Sequence, residues 1–256
     1  MLNIQHLTKC YGEKKAVDDL SLHIAPGEIY GFIGHNGAGK TTTIKACCGI
    51  LGFDGGEITV DGVSVKDDPI ACKRQLAYIP DNPDLYDFMS GIGFLHFVAD
   101  VFGVPADVRQ ERIRRYADLL ELTPALAQSI SSYSHGMKQK LAIISALIHA
   151  PRLIIMDEPF VGLDPKASHL LKQLMRELCD GGCAIFFSTH VPDRTRRPSL
   201  MMATLSHSFS ATSSTWVEKN TVFPSLQWRI ISSFSRCAAR GSRPPRGSSR
   251  IQIGGL

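Results

Sequence analysis

The segment that most limits what this chain can fold into is Gly34-His35-Asn36-Gly37-Ala38-Gly39-Lys40-Thr41, which fits the pattern G-x-x-x-x-G-K-[ST]. Its context is the one the pattern needs. The apolar run Glu28-Ile29-Tyr30-Gly31-Phe32-Ile33 reads as a buried strand before it, and Thr42 to Cys48 is helix-competent after it. Glycines let backbone N–H groups turn inward around phosphate oxygens, and the N-terminus of the following helix adds its positive end. Gly34, Asn36, Gly37, Ala38 and Gly39 form such a cradle. Within it Lys40 can reach the β- and γ-phosphates, Thr41 can ligate Mg2+, and Thr42 can meet the α-phosphate.

A second apolar strand, Leu153-Ile154-Ile155-Met156, ends in Asp157-Glu158. Acids at the carboxyl end of a parallel strand stand where α/β sheets bind ligands. Asp157 suits a Mg2+ shell, and Glu158, one residue on, can act as general base on an attacking water. Together with the phosphate loop the pair indicates nucleotide hydrolysis.

The rest of the chain supports an α/β fold. Leu2 and Ile4, then Leu20, Leu22 and Ile24, alternate with polar neighbours as strands do, and Ile58 and Val60 with Val63 and Val65 flank Asp61-Gly62 as a hairpin. These predict an antiparallel β subdomain. Asp107 to Leu122 is patterned as an amphipathic helix, Ser134 can cap a helix running to about Ala150, and Asp164-Pro165 opens another that Gly181-Gly182 stops. Cys183 to Phe187 reads as a further buried strand. The expected architecture is a parallel-sheet core of the P-loop NTPase kind with an antiparallel β subdomain and a helical subdomain inserted at about 85–150.

Membrane and secretion signals are absent from this text. The richest apolar stretch, Leu141 to Ala150, is about half of what a bilayer span needs, and the start has no signal-peptide pattern, so a cytoplasmic chain is expected. Seven cysteines without C-x-x-C spacing read as reduced, mostly buried thiols.

Further motifs bring a family into view. Tyr133-Ser134-His135-Gly136-Met137-Lys138-Gln139-Lys140 resembles the signature loop of ABC ATPases, Gly162-Leu163-Asp164 resembles their D-loop, and Ser188-Thr189-His190 resembles their switch histidine. Tyr11 matches the aromatic that stacks on adenine. The ordered set covers residues 1–190. The resemblance implies an ATP-hydrolysing subunit that works as a head-to-tail dimer. Ser134 and Gly136 of one copy would close over ATP held on Lys40 of the other, Asp164 of the D-loop would be among the nucleotide-binding residues, and His190 would hold the γ-phosphate and the attacking water. It also implies an integral membrane permease as partner, contacted around Pro83 to Gly103, and a location on the inner face of the cell membrane. No nucleic acid partner is expected, since the chain has neither the paired cassettes of translation members nor the long coiled-coil insert of repair members.

Three positions depart from the family pattern. His135 stands in place of glycine and Met137 in place of glutamine in the signature, while Asp81, in Ala77-Tyr78-Ile79-Pro80-Asp81, stands where the Q-loop glutamine is expected. A carboxylate there can bind Mg2+ but adds negative charge beside the phosphates. The Tyr-Ile-Pro-Asp text leans towards exporter-type members.

The net charge of +4 conceals a division of the chain at His190. Residues 1–190 are net acidic, whereas 191–256 hold ten basic residues against two acidic, with thirteen serines and both tryptophans. No helical or strand period is evident there, and the helix and strands with which the family completes its fold are missing. The tail reads as a shifted frame or fusion scar, as a disordered basic arm for anionic lipid or nucleic acid, or as an unfamiliar folded extension. With the family's closing strands missing, the apolar strand ending at Phe187 is expected to be left at an uncovered sheet edge, which leaves open a catalytically impaired or regulatory subunit.

Overall fold

The structure, a computed structural model, describes residues 1–190 and the strand Met202–Leu205. The expectation of a disordered tail otherwise lies outside the described residues. The chain runs β1 (Leu2–Tyr11), β2 (Lys14–Ile24), β3 (Ile29–Gly34), α1 (Lys40–Cys47), β4 (Gly55–Val60), β5 (Val63–Ser64), α2 (Pro69–Gln75) and β6 (Leu76–Ile79). It continues with α3 (Gly91–Val101), α4 (Ala106–Leu119), α5 (His135–Leu147), β7 (Leu153–Met156), α6 (Pro165–Asp180), β8 (Ala184–Thr189) and β9 (Met202–Leu205).

Two sheets form, as their residue patterns require. The alternating strands make an antiparallel sheet in the order β2-β1-β4-β5, with Leu2 opposite Ile24 and Val60, and Ile4 opposite Leu22 and Ile58. That register sends Leu2, Ile4, Leu22, Ile24, Ile58 and Val60 to one buried face. The continuously apolar strands make a parallel sheet in the order β6-β7-β8-β3-β9, and every residue of β3, β7 and β8 is buried, as a sheet covered on both faces demands. Tilted ring pairs of Phe186 with Tyr30 and Phe32 fill the space between the sheets. Each such side chain contributes roughly 1.5–3 kcal/mol by leaving water.

The other face of the parallel sheet packs on the inserted helices. Leu95 and Ala99 of α3, Ile113 and Ala117 of α4 and Leu141 and Ile144 of α5 share one apolar cluster with Ile154, Ile185 and Phe187 of the sheet. The inserted helices therefore have no core separate from that of the sheet.

Caps set most helix boundaries. Ser134 accepts from Met137 N–H, Asp164 from Ala167 N–H and Asp68 from Ala71 N–H, each at the start of its helix. The first helix starts two residues before its sequence-based limit because Gly39, left-handed at φ 85°, already turns the chain into it. The fourth stops at Leu119 rather than Leu122, since Glu121 takes φ 55°. The fifth stops at Leu147, ahead of Ala150 at φ 51°.

The expectation of a bare edge at Phe187 fails. In the sheet order β8 lies between β7 and β3, so Phe187 is interior at 1% exposure. The edge falls on β3, and Met202–Leu205 of the tail pairs with Gly31–Gly34 in parallel there. A four-residue strand that only completes an edge carries too little period to be seen in sequence. No helix among the described residues is long and apolar enough to cross a membrane. Cys47, Cys48, Cys72, Cys179 and Cys183 are free and buried, and burial pushes the thiols of Cys179 and Cys183 up to about 12, which keeps them protonated and inert.

Candidate functional site

The phosphate loop leaves the buried end of β3 and returns into α1 through two left-handed glycines, Gly37 at φ 83° and Gly39 at φ 85°. A Cβ on Gly39 would collide with the carbonyl oxygen of Ala16, so only glycine lets this turn lie against the β2 strand. No side chain caps the first turn of α1, which leaves its N-terminal N–H groups for a ligand. Lys40 is 6% exposed, and its ammonium donates to the carbonyls of Gly34 at 2.6 Å and His35 at 3.3 Å and lies 3.7 Å from Glu158 Oε1.

A cleft of about 380 Å³ opens over this loop. Tyr11, Lys14 and Ala16 form one wall, Asn36, Gly37, Gly39, Lys40, Thr41 and Thr42 the floor, and Asp81, Asp157 and Glu158 the far end. Gly34 and Ala38 lie beneath, the first as a carbonyl for Lys40 and the second buried with its N–H on the His35 carbonyl. An aromatic wall, a donor-lined floor and a cation beside two acids match adenine, phosphates and a Mg2+-bound triphosphate in turn. The residues fit ATP.

At the acid end, Asp157 is 3% exposed, donates its N–H to the Ile79 carbonyl and accepts on Oδ1 the hydroxyl proton of Ser188. Glu158 takes φ 48° and donates its N–H to Ser188 Oγ at 3.0 Å. His190 meets Glu158 Oε2 with its backbone N–H at 3.2 Å and its Nδ1 at 2.9 Å. The carboxylate of Glu158 is thus held between the histidine and the lysine.

Burial raises the Asp81 carboxyl above its ordinary range, helped by the negative charges of Asp157 and Glu158. A raised carboxyl holds its proton longer in the folded chain. Its charge therefore destabilises the fold once pH rises through the folded value, and the effect vanishes in acid. Asp81 is exposed, so screening keeps this small. Asp81→Asn is expected to raise the melting temperature of the nucleotide-free chain by roughly 1–2 °C at pH 7 and by nothing near pH 3, read from thermal scans at the two values.

Ser134, Gly136 and Asp164 do not line this cleft. Ser134 and Asp164 cap α5 and α6, and the Ala167 N–H bond holds the Asp164 carboxyl below its usual range. The first turn of α5 and the turn before α6 interlock: a Cβ on Gly136 would press on the Gly162 carbonyl at 2.8 Å, and one on Gly162 would run into the His135 ring. The departure at His135 is therefore packed over the Gly162 turn.

Two participants escape a sequence reading. Lys14 lines the cleft from just beyond the β1–β2 turn, with no motif to mark it. Ser188 belongs to a recognised triplet, yet its bonds to both acids emerge only in the folded chain. The available signal was period: Ser188 and His190, two apart at a strand end, project to one side.

Comparison with known proteins shows the family and the fold. Residues 17–161 match the family model described as ABC transporter. The ABC-type transporter ATP-binding protein EcsA of Bacillus subtilis is 34% identical over 191 residues, covering 75% of this chain and 77% of EcsA. A solved structure of an ATP-binding subunit of an ABC transporter superposes with a TM-score of 0.75 at 34% identity, covering 80% of this chain and 85% of that one. CbiO1 from Clostridium perfringens, described as part of the ABC transporter complex cbiONQ, superposes with a TM-score of 0.64 at 25% identity, covering 74% and 78%. Several other curated relatives are longer, and the chain spans 50–63% of their length.

Proposed function

Because this chain belongs to the ABC transporter family of ATP-binding proteins, we propose that it hydrolyses Mg·ATP in the cleft over Lys40 and thereby drives transport by a separate membrane permease. The observation that carries the reading is the convergence of Lys40, Asp157 and Glu158 at one end of that cleft, with His190 bonded to the Glu158 carboxylate. Glu158 is the general base: its carboxylate is oriented by His190 and can take a proton from water as that water adds to the γ-phosphorus. Thr41 and Asp157 would hold Mg2+, with Asp81 near them; the ion neutralises charge that develops on the phosphates.

Ser134, Gly136 and Asp164 lie outside the cleft and, on this reading, serve the ATP of a second copy in a head-to-tail dimer. The permease would dock at the 83–103 segment. Tyr86, Phe88 and Phe97 form an exposed aromatic cluster there, Phe88 being 85% exposed, and Phe102 borders an apolar groove with Ile50, Tyr78 and His149. That assembly places the chain on the cytoplasmic face of a membrane, and the Tyr78-Ile79-Pro80-Asp81 text favours export.

A thermal melt of the full chain with and without Mg·ATP tests the binding step. At 100 times its Kd a ligand stabilises the folded state by about 2.7 kcal/mol, which for a chain of this size is an upward shift of about 5–10 °C. A melt indifferent to nucleotide would sink the reading. Copurification with an integral membrane protein is the expected result for the partner, and association with ribosomes or DNA instead would contradict it.

A further inference from the structure

We propose that Ser188 is a positioning residue for both acids of the cleft, a role that rests on reading the cleft as a Mg·ATP hydrolase. Ser188 is fully buried on β8, one residue past Phe187, which pairs with Met156 of β7. Continuing that register sets Ser188 beside Asp157. Its hydroxyl has one proton and gives it to Asp157 Oδ1; its oxygen lone pair takes the Glu158 N–H at 3.0 Å. Two consecutive residues leaving β7 are therefore anchored on one oxygen atom of β8.

Direction is what this anchor supplies. With Oδ1 committed to Ser188, Asp157 has its second oxygen left for a cation in the cleft that it lines. Glu158 sits at φ 48°, a region that residues with a Cβ adopt reluctantly and keep only when neighbours hold them there. The N–H bond to Ser188 holds that backbone, while His190, the residue just past the end of β8, holds the carboxylate through its own N–H and Nδ1. Strand β8 and the residue that follows it thus grip Glu158 at both ends, with its carboxylate beside Lys40.

Removal of the hydroxyl leaves the volume nearly filled and the anchor gone. Ser188→Ala is expected to lower kcat at least about 10-fold with KM for ATP changed by less than about 2-fold, because misplacement of the acids acts on the chemical step. The Mg2+ concentration that gives half of the ATP-induced melting shift should rise several-fold. The shift produced by ATP in EDTA should stay as in the unmodified chain. Ser188→Thr, which keeps a hydroxyl, should recover most of kcat, and Ser188→Cys, a weak donor of similar size, should fall between and provides the comparison if the alanine variant does not fold. A variant without the hydroxyl that melts lower but keeps its kcat and its Mg2+ midpoint would overturn the proposal, as would a threonine variant no better than alanine. If the unmodified chain shows no Mg·ATP-dependent shift, the hydrolase reading falls and this proposal with it; a normal shift there beside an unaffected Ser188→Ala removes the Ser188 role alone.

Discussion

Replacing Glu158 by glutamine is expected to cut ATP turnover by about 10²- to 10⁴-fold while nucleotide binding persists. The exchange is close to isosteric. An amide oxygen can still accept from the His190 N–H and Nδ1, which now meet Glu158 Oε2 at 3.2 and 2.9 Å. The amide cannot take up a proton, so the step that activates water is lost while the shape of the cleft remains. Lys40 loses one anionic neighbour, at 3.7 Å, but keeps the carbonyls of Gly34 and His35. The Mg·ATP-induced melting shift should therefore be at least as large as in the unmodified chain. Phosphate release under single-turnover conditions, measured beside that shift, checks both halves. Normal turnover in the variant would remove Glu158 from its role as base.

Lys40→Ala is expected to act one step earlier and abolish most nucleotide binding. The ammonium is the buried cation at the acid end of the cleft, facing both the loop carbonyls and Glu158. A charge-assisted hydrogen bond of the kind it would give a phosphate is worth about 1.5–3 kcal/mol, or roughly 10- to 150-fold in Kd. Its loss also leaves Asp157 and Glu158 facing the triphosphate with less positive charge between them, which adds to the effect. At a concentration of ATP that shifts the unmodified chain by about 5–10 °C, this variant should show about half of that shift or less. A titration of Tm against Mg·ATP makes the measurement. The two variants thus separate binding from chemistry: one binds and stalls, the other fails to bind.

Much of this protein was legible locally. The phosphate loop follows from glycine backbone freedom at Gly37 and Gly39, and the helix starts at Ser134 and Asp164 follow from side-chain caps, all within four residues of sequence. The antiparallel hairpins follow from a period of two in residues such as Leu2, Ile4, Leu22 and Ile24. Helix ends at Leu119 and Leu147 were less legible, because left-handed turns at Glu121 and Ala150 are adopted by residues with no preference for them. Family resemblance contributed roles for Ser134, Gly136, Asp164 and His190 that their own surroundings do not show, except for His190, which the fold brings onto Glu158.

What the sequence determined by itself is the chemistry at hand: a phosphate cradle ending in Lys40 and Thr41, an acid pair ending a buried strand, and hydroxyl and imidazole groups ending another. What only the tertiary structure decided is which of these meet. The four strands Ile29–Gly34, Leu76–Ile79, Leu153–Met156 and Ala184–Thr189 are mostly apolar and nearly all buried, so no local pattern says which lies beside which. Their order, with β8 between β7 and β3, comes from crossover connections that must leave one face covered by helices and the other by the antiparallel sheet and α1. That order puts Ser188 and His190 against Asp157 and Glu158 and brings Lys40 to the same point, because parallel strands all deliver their carboxyl ends to one edge.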